Sequence, residues 1–121
     1  CVAGDGDRQM TIQELGTAAE AGAAVILIVV DNGIYGTIRM HQEREYPGRV
    51  TATDLNNPDF AALARAYGGH GETVERTEDF EAAFERAMAS GKPALIHLKV
   101  DPEAITPATT LSAIREKALN K

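Results

Sequence analysis

The chain has 121 residues, of which 44% are hydrophobic and 25% charged, and its 18 acidic and 12 basic residues give a formal net charge of -6. This length supports one ordinary core, and the composition is typical of a soluble globular protein. No apolar run approaches the ~20 residues that span a bilayer. The basic residues are scattered among acids and form no face for phosphate backbones. We therefore expect no membrane and no nucleic acid among its partners.

A single cysteine, at position 1, excludes an internal disulfide and a thiolate metal site. No basic segment followed by an apolar one opens the chain, so we predict a cytoplasmic location. The start at Cys1-Val2-Ala3 is typical of the end of a strand. We therefore expect a single, N-terminally incomplete domain over 1–121, with a C-terminal arm over about 101–121 that ends in a short helix.

The first predicted elements are the end of a strand, a turn and a helix. Gly4-Asp5-Gly6-Asp7 follows residues 1–3 and favours a turn. Thr11 and Glu14 have the spacing of a capping box, in which each residue satisfies a backbone N–H at the start of a helix. The helix is predicted to continue to about Gly22.

A buried strand comes next. Residues 23–30 are continuously apolar and rich in Val and Ile, which is typical of a parallel strand buried on both faces. Asp31-Asn32-Gly33 is a turn signal. A short helix is predicted from about 34 to 43, followed by an irregular loop over 44–56.

The second half begins with a predicted helix. Asn57-Pro58 has the pattern of an N-cap followed by proline at the first helical position. Apolar residues recur at helical spacing after it, and Gly68-Gly69 ends the pattern. They are Phe60, Leu63, Ala64 and Tyr67. A short strand is predicted over 71–75.

The last elements are another helix and another strand. Thr77 is the predicted cap of the helix, and Gly91 and Pro93 end it. Its predicted buried stripe is Phe80, Ala83, Phe84, Ala87 and Met88. The strand covers 94–100 and alternates two faces. Alternation of strands and helices predicts an α/β fold, a parallel sheet with helices on both faces.

Two polar residues follow the first two predicted strands, where sheets of this kind bind ligands. Asp5 follows the first strand and Asn32 the second. Carboxylate and amide oxygens suit Mg²⁺, which takes only a few ligands from protein and the rest from phosphate and water. Glycines beside Asp5 would let backbone N–H groups approach a phosphate, and a helix begins after Asn32. The two turns together predict a clamp for magnesium and a diphosphate.

These turns resemble the signature of thiamine-diphosphate-dependent enzymes, in which Gly-Asp-Gly is followed at about this distance by a pair of asparagines. The segment Asp31-Asn32-Gly33-Ile34-Tyr35-Gly36 is similar to the Asn-Asn-Gly-x-Tyr-Gly form of benzoylformate decarboxylase and its acetolactate-synthase-like relatives. The resemblance continues through residues 58–64 and Tyr67-Gly68. It therefore spans most of the chain and implies the second half of a cofactor-binding domain.

The resemblance implies a ligand set. Asp5 and Asn32 would bind Mg²⁺ through side-chain oxygens, and Ile34 through its main-chain carbonyl. The implied contacts with thiamine diphosphate are Gly4, Asp5, Gly6, Asp7, Asn32, Ile34, Tyr35 and Gly36. Asp31 replaces the first asparagine of the pair. It adds negative charge beside the ion and removes no ligand.

The resemblance also indicates what this chain lacks. The family's activating glutamate comes from a pyrimidine-binding domain, usually of a neighbouring chain, so no catalytic residue is assigned here and a homo-oligomer is expected. The implied parent enzyme acts on 2-oxo acids by decarboxylation or carboligation. Ile38 stands where pyruvate decarboxylases carry an acid, and His41 where acetolactate synthases carry tryptophan. Neither specific activity is assigned.

Two alternatives stay open. The chain could be a non-catalytic piece that binds only metal and diphosphate or associates with itself. Haloacid-dehalogenase phosphatases also place Gly-Asp-Gly at magnesium, although their following Asn-Asp pair is absent. The three histidines are too scattered for a zinc site. We predict His41 on the surface, His70 in a turn and His97 in the core.

Overall fold

The computed structural model of the chain describes residues 1–120. Its strands are β1 (Val2–Gly4), β2 (Ile26–Asp31), β3 (His70–Val74) and β4 (Ala94–Lys99). Its helices are α1 (Asp5–Gln9), α2 (Glu14–Glu20), α3 (Gly36–Glu45), α4 (Phe60–Ala66), α5 (Phe80–Ala89) and α6 (Leu111–Leu119). All strand pairs are parallel, in the order β1-β2-β4-β3. None of the helices in residues 1–120 is long and apolar enough to cross a membrane.

The chain divides into two compact units. We call the first the sheet unit, which consists of Cys1–Asp31 and Asn57–Lys99 and contains all four strands with α1, α2, α4 and α5. We call the second the helical unit, which consists of Asn32–Asn56 and the described residues from Val100 onward and contains α3 and α6.

The sheet unit buries apolar side chains on both faces of its sheet. Alternate residues of β4 enter two different clusters, because successive side chains of a strand point to opposite faces. One cluster consists of Leu15, Val29, Phe60, Ala64 and Leu95. The other consists of Val74, Ala83, Ala87, Ala94 and Ile96. Helices α2 and α4 therefore cover one face and α5 the other, which confirms the predicted parallel sheet between two helical layers.

The helical unit is held by polar contacts around α3 and α6. Glu43, fully buried on α3, pairs with Arg115 of α6 and accepts a hydrogen bond from the Gly48 N–H at 2.9 Å. Helix α6 begins after Thr110, whose hydroxyl oxygen accepts from the Ala113 N–H at 3.2 Å. The predicted C-terminal arm thus ends in a capped helix.

Two predictions for the first 22 residues are wrong. Helix α1 begins directly at Asp5, where the sequence predicted only a turn. Thr11 does not cap α2. Gln13, the residue directly before α2, already has helical backbone, with a φ of -61° and a ψ of -21°. A capping box needs extended backbone at the cap. Glu14 instead accepts a hydrogen bond from the Thr17 hydroxyl at 2.8 Å.

Several later boundaries also differ. Strand β2 is shorter than the apolar run, since residues 23–25 lie outside it. Asp59 caps α4 by accepting from the Ala62 N–H at 2.9 Å, so Asn57 is not the cap. Thr77 opens a 3-10 turn without any side-chain cap. The predicted stripe on α5 is too wide, because Met88 is 55% exposed.

Candidate cofactor-binding site

Asp5 lies buried at the carboxyl end of β1. Gly4 pairs with Val30 of β2, so the next residues of the two strands, Asp5 and Asp31, end at the same edge of the sheet. Only 4% of Asp5 is exposed. Its Oδ1 accepts a hydrogen bond from the Gly6 N–H at 3.0 Å, and its Oδ2 accepts from the Asn57 amide at 2.7 Å. Both oxygens of the Asp5 carboxylate are therefore held by hydrogen bonds.

Asp31 is the second buried carboxylate at this edge. Its Oδ2 accepts from His97 Nε2 and from Lys99 Nζ, both at 2.6 Å, and its Oδ1 accepts from the Asn57 amide at 2.7 Å. Burial opposes the charge of Asp31. The hydrogen bonds from Lys99, His97 and Asn57 outweigh burial and hold the pKa of Asp31 well below its ordinary value. Asp31 is therefore ionised in the folded protein at neutral pH.

His97 lies beneath this network in the core. Its ring meets the Phe60 ring edge-on at a centroid distance of 5.1 Å. Since an ionised carboxylate can only accept, the Nε2–H of His97 donates to Asp31. Within residues 1–120 the buried Nδ1 has no hydrogen-bond partner. The prediction of a core histidine is confirmed, whereas His70 opens β3 and does not lie in a turn.

The second predicted turn forms a compact loop in the helical unit. Gly33 has a φ of +70°, a conformation that glycine adopts without strain. The Asn32 Oδ1 accepts from the Ile34 N–H at 3.2 Å. Ile34 forms an antiparallel bridge with Asp54. The two hydrogen bonds of this bridge use the carbonyls of Gly33 and Thr53, so the bridge leaves the Ile34 carbonyl unused.

Gly36 begins α3 in a tight space. A Cβ added there would lie 2.7 Å from Ile105 Cδ1 and 3.0 Å from Asn32 Nδ2, so a larger residue would displace the end of the Ile105 side chain and press against Asn32. Tyr35, one residue earlier, is 36% exposed. The loop therefore requires glycine for close packing, and it leaves the tyrosine at the surface.

The two glycines of the first turn have ordinary backbone conformations. The φ of Gly4 is -70° and Gly6 is helical, so neither needs the left-handed region. A Cβ at Gly4 would lie 3.2 Å from the Asp7 carboxylate. Asp7 itself is exposed on α1. Glycine at position 4 thus leaves room for the Asp7 side chain.

Four predicted site residues, Gly4 to Asp7, lie in the sheet unit, and the other four lie in the helical unit. The sequence analysis missed the residues that surround the two carboxylates. They are Asn57, His97 and Lys99. A signal for two of them was present, because His97 and Lys99 alternate along one face of a predicted strand.

Residues 1–98 match the family model of the thiamine pyrophosphate enzyme C-terminal TPP-binding domain. The chain belongs to this family. Thiamine diphosphate is the cofactor that membership implies. Membership favours the thiamine-diphosphate interpretation over the phosphatase alternative.

Relatives within the family include enzymes with two different names. The large subunit of acetolactate synthase isozyme 2 from Escherichia coli K12 is 34% identical over 123 residues, which cover 100% of this chain and 22% of the relative. The 4-hydroxybenzoylformate decarboxylase of Rhodococcus jostii RHA1 aligns with a TM-score of 0.76 and 34% identity, over 83% of this chain and 19% of its own. Benzoylformate decarboxylase from Polynucleobacter necessarius gives a TM-score of 0.76 at 27% identity, over 84% and 19%.

This chain thus spans about a fifth of the length of these relatives.

The donor atoms that this chain offers fit a hard cation. Among residues 1–120, no group of three or more His, Cys, Asp and Glu side chains is arranged to hold a metal ion. Magnesium accepts amide, main-chain, phosphate and water oxygens as well as carboxylate oxygens. Asp5, Asn32 and Ile34 offer one oxygen of each protein type.

Proposed function

We propose that this chain holds the diphosphate of thiamine diphosphate through Mg²⁺. Asp5 and Asn32 supply side-chain oxygens, and Ile34 supplies its main-chain carbonyl. The buried Asp5 carboxylate carries the proposal, because Asp5 directly follows β1, which lies beside β2, and Asn32 directly follows the last residue of β2. The carboxyl edge of a parallel sheet is where such folds bind ligands.

The chemistry of each donor supports this assignment. Mg²⁺ prefers oxygen ligands in an octahedral arrangement and keeps several positions for phosphate and water. Asp5 offers a carboxylate that is held in place by two hydrogen bonds. The bridge between Ile34 and Asp54 leaves the Ile34 carbonyl unused. We further propose that Gly4, Gly6, Asp7, Tyr35 and Gly36 line the diphosphate.

The charge of Asp31 is compatible with this site. An aspartate beside a metal ligand adds a negative charge that would repel a diphosphate. Lys99 and His97 donate to the same oxygen of Asp31, at 2.6 Å each. The extra charge is therefore balanced within the sheet unit.

We propose that the whole enzyme acts on 2-oxo acids by decarboxylation or carboligation. The names of the relatives, acetolactate synthase and benzoylformate decarboxylase, support this class. Thiamine diphosphate, when bound, supplies the carbanion chemistry, and the protein supplies placement and electrostatics. This chain fixes one end of the cofactor, whereas a pyrimidine-binding domain, in a homo-oligomer, supplies the activating glutamate. The chain alone is expected to give no turnover.

Calorimetric titration of thiamine diphosphate tests the metal clamp. We expect binding by the chain in the presence of Mg²⁺ and none in EDTA. Asp5→Asn keeps the shape of the side chain and removes its charge, and it should weaken binding by roughly 10-fold or more. Glu85→Gln makes the same change on the exposed face of α5 and should leave the affinity unchanged.

Binding that does not need the metal, or equal affinity of Asp5→Asn and the wild type, would contradict the assignment. A folded wild-type chain that binds nothing would contradict the proposal that this chain suffices to hold the diphosphate. Circular dichroism of each variant establishes that it is folded before titration.

A further inference from the structure

Asn57 lies at the centre of the polar network, although the sequence predicted it as a helix cap. Its side-chain nitrogen donates to Asp5 Oδ2 and to Asp31 Oδ1, at 2.7 Å each. Its side-chain oxygen accepts from Gln9 Nε2 at 2.6 Å. The amide therefore bridges the carboxylates that end β1 and β2.

The orientation of this amide is determined by its neighbours. The Asn57 NH₂ group is the donor of this side chain, and it faces Asp5 and Asp31. The Gln9 NH₂ group only donates, so it faces the Asn57 oxygen. Each of the two amide hydrogens is directed at a different carboxyl group. A flipped amide would place its NH₂ group against the Gln9 NH₂ group.

The local sequence keeps Asn57 available for this role. Proline at position 58 disfavours helical backbone at the preceding residue. Helix α4 consequently begins at Phe60, and Asp59 provides its cap. Asn57 therefore lies before the helix, and its side chain makes tertiary hydrogen bonds in place of a cap.

The bridge connects two buried carboxyl groups. Asp5 and Asp31 lie at neighbouring strand ends, and both are 4% exposed. Asp31 has two basic partners, Lys99 and His97, on one oxygen. The Gly6 N–H holds one oxygen of Asp5, and the Asn57 amide holds the other. Loss of the Asn57 amide would remove the hydrogen bond that holds Asp5 Oδ2.

We infer that Asn57 is a positioning residue, which holds the Asp5 carboxylate in the orientation from which it binds Mg²⁺. The inference rests on the proposed function, and Asn57 itself does not contact the ion. Residues that orient metal ligands typically change metal affinity by ~10–100-fold when removed. The ligand of the positioned Asp5 carboxylate would be a divalent cation that is also bound to a diphosphate.

The test compares Asn57→Ala and Asn57→Asp with Asp59→Ala, the matched control at the neighbouring cap. The affinity for thiamine diphosphate is measured calorimetrically at several Mg²⁺ concentrations, and thermal unfolding is measured without ligand. We expect Asn57→Ala to weaken the metal-dependent binding by ~10-fold or more, and Asn57→Asp to weaken it further because it adds a third carboxylate. Asp59→Ala should lower the unfolding temperature and leave the affinity of the folded chain unchanged.

Equal affinity of Asn57→Ala and the wild type, with Asp5→Asn still defective, would overturn the inference and keep the proposed function. A second measurement is independent of cofactor binding. Crystal structures of the metal-free wild type and Asn57→Ala should show the Asp5 carboxylate in different rotamers. An unchanged Asp5 rotamer in the variant would overturn the inference even if no cofactor bound.

Discussion

Asp31 in the sheet unit and Glu43 in the helical unit are both buried carboxylates, and their partners differ. In the sheet unit, Asp31 shares three side-chain donors, Lys99, His97 and Asn57. In the helical unit, Glu43 has one basic partner, Arg115, and one backbone donor, Gly48. Asp31 is 4% exposed and Glu43 is fully buried. The degree of burial therefore does not distinguish Asp31 from Glu43.

The difference lies in how far each network extends. The partners of Asp31 include Asn57, which also contacts Asp5, so a change at Asp31 reaches a proposed metal ligand. The pair of Glu43 and Arg115 joins α3 to α6 and contacts no proposed ligand. We infer that the Glu43 pair serves stability, whereas the Asp31 network also serves the site.

The largest expected effect comes from Arg115→Met. Among residues 1–120, the change leaves the fully buried carboxylate with the Gly48 N–H as its one hydrogen-bond donor. Removal of one partner of a buried pair is strongly destabilising, and the partial exposure of Arg115 places the expected loss at the lower end, about 2–3 kcal/mol. Denaturant unfolding followed by circular dichroism measures it, and hydrogen exchange should locate the loss in α3 and α6.

The double variant Glu43→Gln with Arg115→Met is the control for this prediction. It removes both charges, so it should recover more than half of the lost stability. A loss below about 0.5 kcal/mol in Arg115→Met would show that the pair behaves as an exposed one.

Acid should weaken the same contact. The hydrogen bond from Arg115 opposes the effect of burial and lowers the pKa of Glu43 from 4.5 to about 2. A carboxylate with a lowered folded-state pKa stabilises the protein above its unfolded value, and this stabilisation is lost as the pH falls through the folded value. We expect the free energy of unfolding to fall between about pH 5 and pH 2, and more steeply in the wild type than in Arg115→Met.

Unfolding curves recorded across this range measure the two slopes. Asp31 is present in both proteins, so its own titration contributes equally and the difference isolates Glu43. Parallel slopes would mean that Arg115 does not determine the charge state of Glu43 in the folded chain.

The sheet and its helices could be predicted because their signals are local. The apolar run before Asp31 and the helical spacing that includes Phe60 and Ala64 each identified an element. The short polar residues were predicted less well. Thr11 and Asn57 have the chemistry of caps, but a side chain that can cap can equally make a tertiary hydrogen bond.

The partners of the buried carboxylates could not be predicted for a different reason. His97 and Lys99 lie 66 and 68 positions after Asp31, and Arg115 lies 72 positions after Glu43. The pairs of Asp31 depend on β4 lying next to β2, and strand order is not encoded in the pattern of any single strand. The resemblance to the family predicted Asp5 and Asn32 as metal ligands, but it gave no partner for Asp31.

The smallest expected effect comes from Lys99→Met, which removes one hydrogen-bond donor of Asp31. The side chain of Lys99 is 45% exposed, so its charge is partly screened by water. Asp31 keeps His97 and Asn57. We expect a loss of about 0.5–1 kcal/mol, clearly below that of Arg115→Met.

Lys92→Met is the matched control, because Lys92 is exposed and forms no salt bridge within residues 1–120. It should change the free energy of unfolding by less than about 0.5 kcal/mol. If Lys99→Met costs as much as Arg115→Met, Asp31 depends on a single partner in the way that Glu43 does. A small loss in Lys99→Met would instead mean that the donors that remain, His97 and Asn57, stabilise the buried Asp31 carboxylate without Lys99.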